Sequence, residues 1–148
     1  LSPYLSATAL PELHRLHLWE FVADSIFQHP FSGWGFFASR FMPGGTTELI
    51  PGVPLMALHP HNAALQAWLE LGVPGALMMA GGLYFVGSRL ACPNLDRFTQ
   101  SGLMATALAT LSVASLSYGL WQSWWLSALS LTGAIAICLH SGGKSGQN

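Results

Sequence analysis

Charged residues are scarce in this chain of 148 residues. Lys and Arg number five and Asp and Glu six, together 7% of the sequence, whereas about a quarter is usual for a soluble globular protein. Hydrophobic residues make up 51%. This composition indicates a protein whose solvent is largely lipid. A formal net charge of -1 leaves no basic surface to hold a phosphate backbone, so no nucleic-acid partner is expected.

Cysteine is also rare, and the two thiols, Cys92 and Cys138, suit neither a disulfide framework nor a metal cluster. The chain has no nucleotide-binding glycine loop, no zinc-type Cys/His spacing and no G-x-S-x-G turn. No cofactor is therefore expected. The sequence begins at Leu1 without the basic and apolar segments of a signal peptide, and we expect it to be the C-terminal portion of a longer protein.

Residues 98–143 contain no Asp, Glu, Lys or Arg. One crossing of a bilayer takes about 20 apolar residues, so this stretch predicts two transmembrane helices, at about 101–119 and 123–140. Three tryptophans close to Gly119 and Gln122 predict a turn between them at the membrane surface. A shorter uncharged stretch predicts an earlier span at about 74–91.

Basic residues set the expected orientation, because Lys and Arg beside spans favour the cytoplasmic side. Arg89 and Arg97 lie in the connection between the first two spans, and Lys144 lies in the tail. The tryptophan turn and residues 1–73 then face the periplasm. We therefore expect an all-α, multi-pass protein of the bacterial inner membrane, with a periplasmic module (residues 1–73) and a transmembrane part (residues 74–148).

Within residues 1–73, two helices are predicted around a loop rich in Gly and Pro. The first ends before Pro30 and carries apolar residues at helical spacing, namely Leu16, Trp19, Val22, Ile26 and Phe27. The second begins after Asn62, a plausible N-cap, and stops at Gly72, before Pro74 starts the span. His61 is thereby placed at the start of a helix near the membrane surface.

The residues that can carry chemistry are histidines and arginines of this module: His14, Arg15, His17, His29, Arg40, His59 and His61. Such a set can bind a metal, move protons or hold a phosphate. His59 and His61 flank Pro60 and cannot form an i, i+4 helical metal pair. A metal site made by these two with His14 or His17 is an open alternative. Each candidate also has a plain interpretation. His61 can be an interfacial polar residue, and Arg15 and Arg40 can be solvated surface charges.

Three segments, HRLHLWEF, HPFSGWGFFASR and HPHNAALQAWLELGVPGAL, together resemble the signature region of the O-antigen ligase and polymerase family. The shared features are an Arg followed closely by Trp, a Gly-Trp-Gly turn after Pro, and His-Asn opening a helix that ends in Gly-x-x-Gly. The resemblance covers about the last third of a typical member. A further acidic residue that members often carry near the last periplasmic turn is missing after Arg97.

The resemblance implies a metal-independent glycosyltransferase that takes a glycan from an undecaprenyl-diphosphate carrier. By this likeness Arg15 and His61 are catalytic, with Arg15 on the diphosphate and His61 as general base or diphosphate donor. Arg40, Asn62 and His59 are expected to bind substrate. The acceptor is lipid A core in a ligase, a repeat unit in a polymerase or a protein in an oligosaccharyltransferase. A small-anion transporter is the rival class, although the expected spans carry no charge to line a path.

Overall fold

The computed structural model describes residues 9–56, 58–90, 96–116 and 119–145. The elements in chain order are α1 (Ala9–Gln28), a 3-10 helix (Ala38–Phe41), β1 (Glu48–Ile50), β2 (Val53–Pro54), α2 (Ala63–Leu90), α3 (Arg97–Leu116) and α4 (Ser123–Ser145). The helical fold class is thus confirmed, apart from a short antiparallel hairpin of β1 and β2. Cys92 lies outside the described residues, whereas Cys138 is a free, exposed thiol.

Helix α1 ends two residues before Pro30, as predicted, but its buried face differs from the prediction. Leu18, Val22 and Ile26, one helical turn apart, are buried, whereas Leu16 is 60% and Phe27 81% exposed. The row at i, i+4 spacing is the one that meets the core. The five apolar residues named at helical spacing therefore include two, Leu16 and Phe27, that lie off the buried face.

The core of the N-terminal part lies between α1, the loop and the first turns of α2. It is a single cluster made by Leu18, Val22, Ile26, Met42, Met56 and Leu69. The hairpin carries Met56 into this cluster through the hydrogen bond from the Met56 N–H to the Gly45 carbonyl, at 2.8 Å. The loop is therefore packed against α1 and α2, despite its many Gly and Pro residues.

Helix α2 has two segments. Asn62 caps the first, because its Oδ1 accepts the backbone N–H of Leu65 at 3.0 Å. The segment stops at Gly72, whose φ of 66° and ψ of -151° lie in a region open essentially to glycine alone. The second segment runs on through Pro74 to Leu90. The predicted cap and the predicted stop are both confirmed.

The Gly-Trp-Gly turn packs directly on this break. The N–H groups of Trp34 and Gly35 donate to the carbonyls of Leu69 and Glu70, both at 2.9 Å. Carbonyls at a helix C-terminus lack partners within the helix, so the turn satisfies them. The contact is so close that a Cβ on Gly72 would lie 2.6 Å from the Gly33 nitrogen. Glycine at both positions is what lets the two backbones meet.

Among the described residues, one helix, α2, is long and apolar enough to cross a membrane. Residues 123–138 of α4 form a shorter apolar helix. Helix α3 has repeated Ser and Thr residues, and several of their hydroxyls donate back to carbonyls one turn earlier, as Ser112 does to Leu108 at 2.9 Å. Crossings by α3 and α4, at the expected 101–119 and 123–140, remain predictions.

The turn between α3 and α4 folds back onto the first segment of α2. The Leu120 N–H donates to Oε1 of Gln66 at 2.7 Å. The start of α4 therefore lies on the same side of the molecule as the loop and the N-terminus of α2.

Candidate functional site

A small cleft lined by both polar and apolar side chains lies where the 3-10 helix, the first segment of α2 and the α3–α4 turn meet. Its volume is about 20 Å³, room for roughly one water molecule. The residues that line it are Phe37, Arg40, Leu58, His59, Gln66, Glu70, Trp121 and Gln122. Two residues expected to bind substrate, Arg40 and His59, are thus brought together. We call this feature the cleft.

The Glu70 carboxylate, 1% exposed, forms the floor of the cleft. Its Oε2 accepts the Phe37 N–H at 3.0 Å and the Trp121 indole N–H at 2.6 Å. Its Oε1 accepts the Gln66 amide at 3.0 Å and the Ser39 hydroxyl. Four donors from three separate segments therefore converge on one buried acidic side chain, which balances its desolvation.

Gln66 lies one turn before Glu70 and links it to the α3–α4 turn. Its amide nitrogen donates to Glu70, while its amide oxygen accepts the Leu120 N–H. These two partners fix the orientation of the Gln66 amide, since the backbone N–H of Leu120 can only donate. Trp121 adds a contact to Phe36, with ring centroids 4.7 Å apart.

His59 is buried against the α3–α4 turn. A Cβ on Gly119 would lie 2.7 Å from its imidazole, so glycine is needed there. Its Nδ1 accepts the backbone N–H of His61 at 3.3 Å, and its Nε2 lies 3.4 Å from the Gln122 amide nitrogen. Burial lowers the pKa of His59 to about 4, the nearby His61 and Arg40 lower it as well, and Glu70 opposes them.

His61 is exposed beside the cleft, with its ring 4.4 Å from that of His59. Its φ of 54° is in the left-handed region, which few side chains adopt. The hydrogen bond from its N–H to His59 helps to hold this conformation. Asn62, expected to bind substrate, is instead occupied as the cap of α2, with its oxygen on the Leu65 N–H.

The two arginines differ in position. Arg40 lines the cleft, with its guanidinium carbon 5.5 Å from the centre of the Phe37 ring. Arg15 is exposed on α1 and does not line the cleft. Arg15 lies on the same helix face as Trp19, which follows it about 6 Å further along the axis. The Trp19 indole donates to the Pro60 carbonyl at 3.0 Å, which ties this face to the His59–His61 segment.

Sequence reasoning missed the residues that build the cleft floor and its far wall, namely Ser39, Gln66, Glu70, Trp121 and Gln122. A signal for two of them was present, because Gln66 and Glu70 are four residues apart and share one helix face. An acidic residue that ends a helix next to an apolar span requires a partner. Within the described ranges, no three His, Cys, Asp or Glu side chains gather as metal ligands.

The low pKa of His59 predicts a loss of stability in mild acid. The unfolded chain takes up the proton at about pH 6.5 and the folded protein only at about pH 4. Between these values the unfolded state binds more protons, so the free energy of unfolding falls as the pH falls through this window. Thermal unfolding of the purified protein in detergent, recorded from pH 7 to pH 4, measures this loss.

The matched control is His59→Asn, whose amide oxygen can still accept the His61 N–H but which does not titrate. Its unfolding temperature should fall less steeply with pH than that of the wild type. Equal slopes for the two proteins would show that His59 is not the group responsible.

Known proteins resemble this chain over the part that contains the helix α1, the loop and the first segment of α2. Residues 8–80 match the sequence model of a family described as O-antigen ligase. A protein of Rickettsia conorii, provisionally named a polysaccharide ligase, is 33% identical over 134 residues, which cover 86% of this chain and 32% of that protein. Similarly named proteins of Rickettsia prowazekii and Rickettsia typhi are 34% and 32% identical over 134 and 130 residues.

The chain spans about a third of the length of these curated relatives. No solved structure matches it significantly.

Proposed function

We propose that this chain, which belongs to the O-antigen ligase family through residues 8–80, takes part in transferring a glycan from an undecaprenyl-diphosphate carrier to an acceptor such as lipid A core. The observation that carries the proposal is the gathering of Arg40, His59 and His61 at the N-terminal end of α2, the helix apolar enough to cross a membrane. A lipid-linked diphosphate requires a cationic polar site and an apolar surface side by side.

In the proposed reaction an acceptor hydroxyl oxygen attacks the anomeric carbon of the donor glycan. The bond from that carbon to the diphosphate breaks, and the diphosphate leaves with the electron pair. Negative charge grows on the leaving group, so cationic donors stabilise the transition state more than the ground state. Arg40 and Arg15 supply guanidinium groups, which can bind phosphate oxygens through two parallel hydrogen bonds.

His61 removes the proton from the attacking hydroxyl. Its exposure beside the cleft leaves the imidazole accessible to an acceptor, while the backbone hydrogen bond to His59 fixes the residue. His59 and Asn62 act through position, His59 on the His61 backbone and Asn62 as the helix cap. Because the arginines provide the positive charge, the transfer proceeds without a metal, and its rate is expected to survive chelation by EDTA.

We propose that the site lies at the periplasmic face of the inner membrane. The second segment of α2 enters the bilayer at Pro74 and ends with the basic Arg89, which favours the cytoplasmic side. The α3–α4 turn contacts Gln66, and this contact supports a return of the chain to the periplasmic surface. Exposed apolar side chains along α2, including Leu77, Met78 and Phe85, then face lipid or neighbouring spans.

Ligation is favoured over polymerisation and protein glycosylation by the provisional names of the Rickettsia relatives, which describe them as polysaccharide ligases.

Replacement of Arg40 or Arg15 by Gln tests the diphosphate contact. A hydrogen bond to a charged group contributes about 1.5–3 kcal/mol, so the KM for an undecaprenyl-diphosphate-linked glycan should rise about tenfold or more. The measurement is the initial transfer rate of the purified protein as a function of donor concentration.

The matched control is Arg89→Gln, which removes an arginine at the opposite end of α2, stacked on Phe85 at 4.7 Å. Its KM should equal that of the wild type. Unchanged donor KM in both Arg15→Gln and Arg40→Gln would contradict the proposed contact.

A further inference from the structure

We infer that Glu70 is a positioning residue that assembles the cleft by holding its two walls around His59. The inference rests on the proposed function for its catalytic consequence, but its structural part stands on the hydrogen bonds of the carboxylate. Glu70 lies within the third segment quoted above, but neither the proposed chemistry nor the shared features given for that segment use its side chain.

The first wall is the segment 37–40. The Phe37 N–H and the Ser39 hydroxyl both donate to Glu70. Phe37 has a left-handed φ of 64°, so this segment needs tertiary contacts to hold its conformation. Arg40 follows directly in the 3-10 helix and lines the cleft. The carboxylate therefore determines where the Arg40 guanidinium lies relative to His59.

The second wall is the α3–α4 turn. The Trp121 indole donates to Glu70 directly, and the Leu120 N–H is linked to it through Gln66. The same turn presents Gly119 and Gln122 to the His59 ring. Without the carboxylate, the Trp121 indole loses its acceptor. His59 would then lose its fixed environment, and the His61 backbone would lose its fixed acceptor.

The hydrogen-bond pattern predicts that charge and acceptor capacity, rather than size, are what matter at position 70. Glu70→Gln has the same shape, but its NH2 group must face donors. On the Oε2 side these are the Phe37 and Trp121 N–H groups, neither of which can accept. On the Oε1 side the Ser39 hydroxyl can rotate to accept, but the Gln66 amide cannot turn without opposing the Leu120 N–H.

A reciprocal exchange restores every bond. In the double variant Gln66→Glu with Glu70→Gln, the carboxylate at position 66 accepts from Leu120 and from the amide at position 70. The amide oxygen at position 70 then accepts from Phe37 and Trp121, and its nitrogen also donates to the Ser39 hydroxyl. Gln66→Glu alone instead brings two carboxylates to within hydrogen-bonding distance, which opposes their ionisation.

The experiment compares wild type, Glu70→Gln, Gln66→Glu and the double variant as purified full-length protein in detergent. Unfolding temperature and glycan-transfer kinetics are measured, with kinetics recorded well below the unfolding midpoint. We expect each single variant to lower the unfolding temperature and to reduce kcat about tenfold or more, and the double variant to recover most of both losses. A residue that merely fills space would leave the isosteric Glu70→Gln unchanged.

Additive losses in the double variant, or wild-type kcat in folded Glu70→Gln, would overturn the inference. The proposed function fails separately, if the wild-type protein itself transfers no glycan from the diphosphate carrier. In that case the recovery of the unfolding temperature by the reciprocal exchange still tests the positioning of the two walls.

Discussion

Gly72→Ala is expected to prevent the Gly-Trp-Gly turn from docking on α2. The added Cβ would lie 2.6 Å from the Gly33 nitrogen. The atoms that it meets belong to the backbone, which cannot move aside as a flexible side chain can. The backbone angles of Gly72 add strain of about 1–3 kcal/mol for any other residue. The combined cost exceeds that of an ordinary substitution, and the folded protein should be largely lost.

Gly81→Ala is the matched control, because a Cβ at Gly81 meets no atom within 4 Å and lies in the same helix. Alanine is favoured over glycine there by about 1 kcal/mol, so this variant should be as stable as the wild type or more so. The amount of folded protein in detergent and its unfolding temperature give the comparison. Normal folding of Gly72→Ala would contradict the close backbone contact.

His61→Asn is expected to lower kcat about 10²–10⁴-fold, the usual contribution of a general base. Asparagine is the informative replacement because, unlike most residues, it tolerates the left-handed conformation that His61 adopts. The backbone N–H to His59 is unchanged. The loss of rate should therefore occur in a protein that unfolds at nearly the wild-type temperature.

His61→Ala has the same missing imidazole and an additional backbone penalty, so it should be both inactive and less stable. His14→Asn is the comparison for histidine loss elsewhere in the module, since His14 contacts the Pro54 carbonyl at 3.1 Å and does not line the cleft. It should retain wild-type kcat. Wild-type kcat in folded His61→Asn would remove His61 from the role of base.

Local signals predicted the C-terminal end of α1 and both ends of the first segment of α2, whereas α3 runs from Arg97 to Leu116 rather than over the expected 101–119. The Asn62 cap and the Gly72 stop were read correctly, because capping and left-handed glycine act through bonds within a few residues. The end of α1 before Pro30 was predicted for the same reason. The helical class followed from composition and from apolar stretches too long for anything but helices in lipid.

The side of α1 that is buried was harder to predict. Several apolar stripes fit the helical period, because the helix carries six apolar residues close together, namely Leu16, Leu18, Trp19, Val22, Ile26 and Phe27. Packing against the hairpin and α2 selects the row of Leu18, Val22 and Ile26. The partners of that row are brought in by the loop, whose path through turns at Gly44 and Gly52 has no periodic signature.

The cleft was harder still to predict from the sequence, because its residues are far apart in the chain. Glu70 meets Phe37 and Trp121 across separations of 33 and 51 residues. Sequence analysis placed the tryptophans of the α3–α4 turn at the membrane surface and gave Glu70 no role. Two glycines of the signature motif, Gly33 and Gly72, contribute close backbone packing.

The most direct test of glycan transfer uses host cells that carry the wild type or His61→Asn at equal abundance in the membrane. Gel electrophoresis separates glycan attached to lipid A core from glycan that remains on the undecaprenyl carrier. We expect His61→Asn to lose the core-attached ladder while carrier-linked glycan accumulates. An unchanged ladder in cells with stably folded His61→Asn would contradict the account.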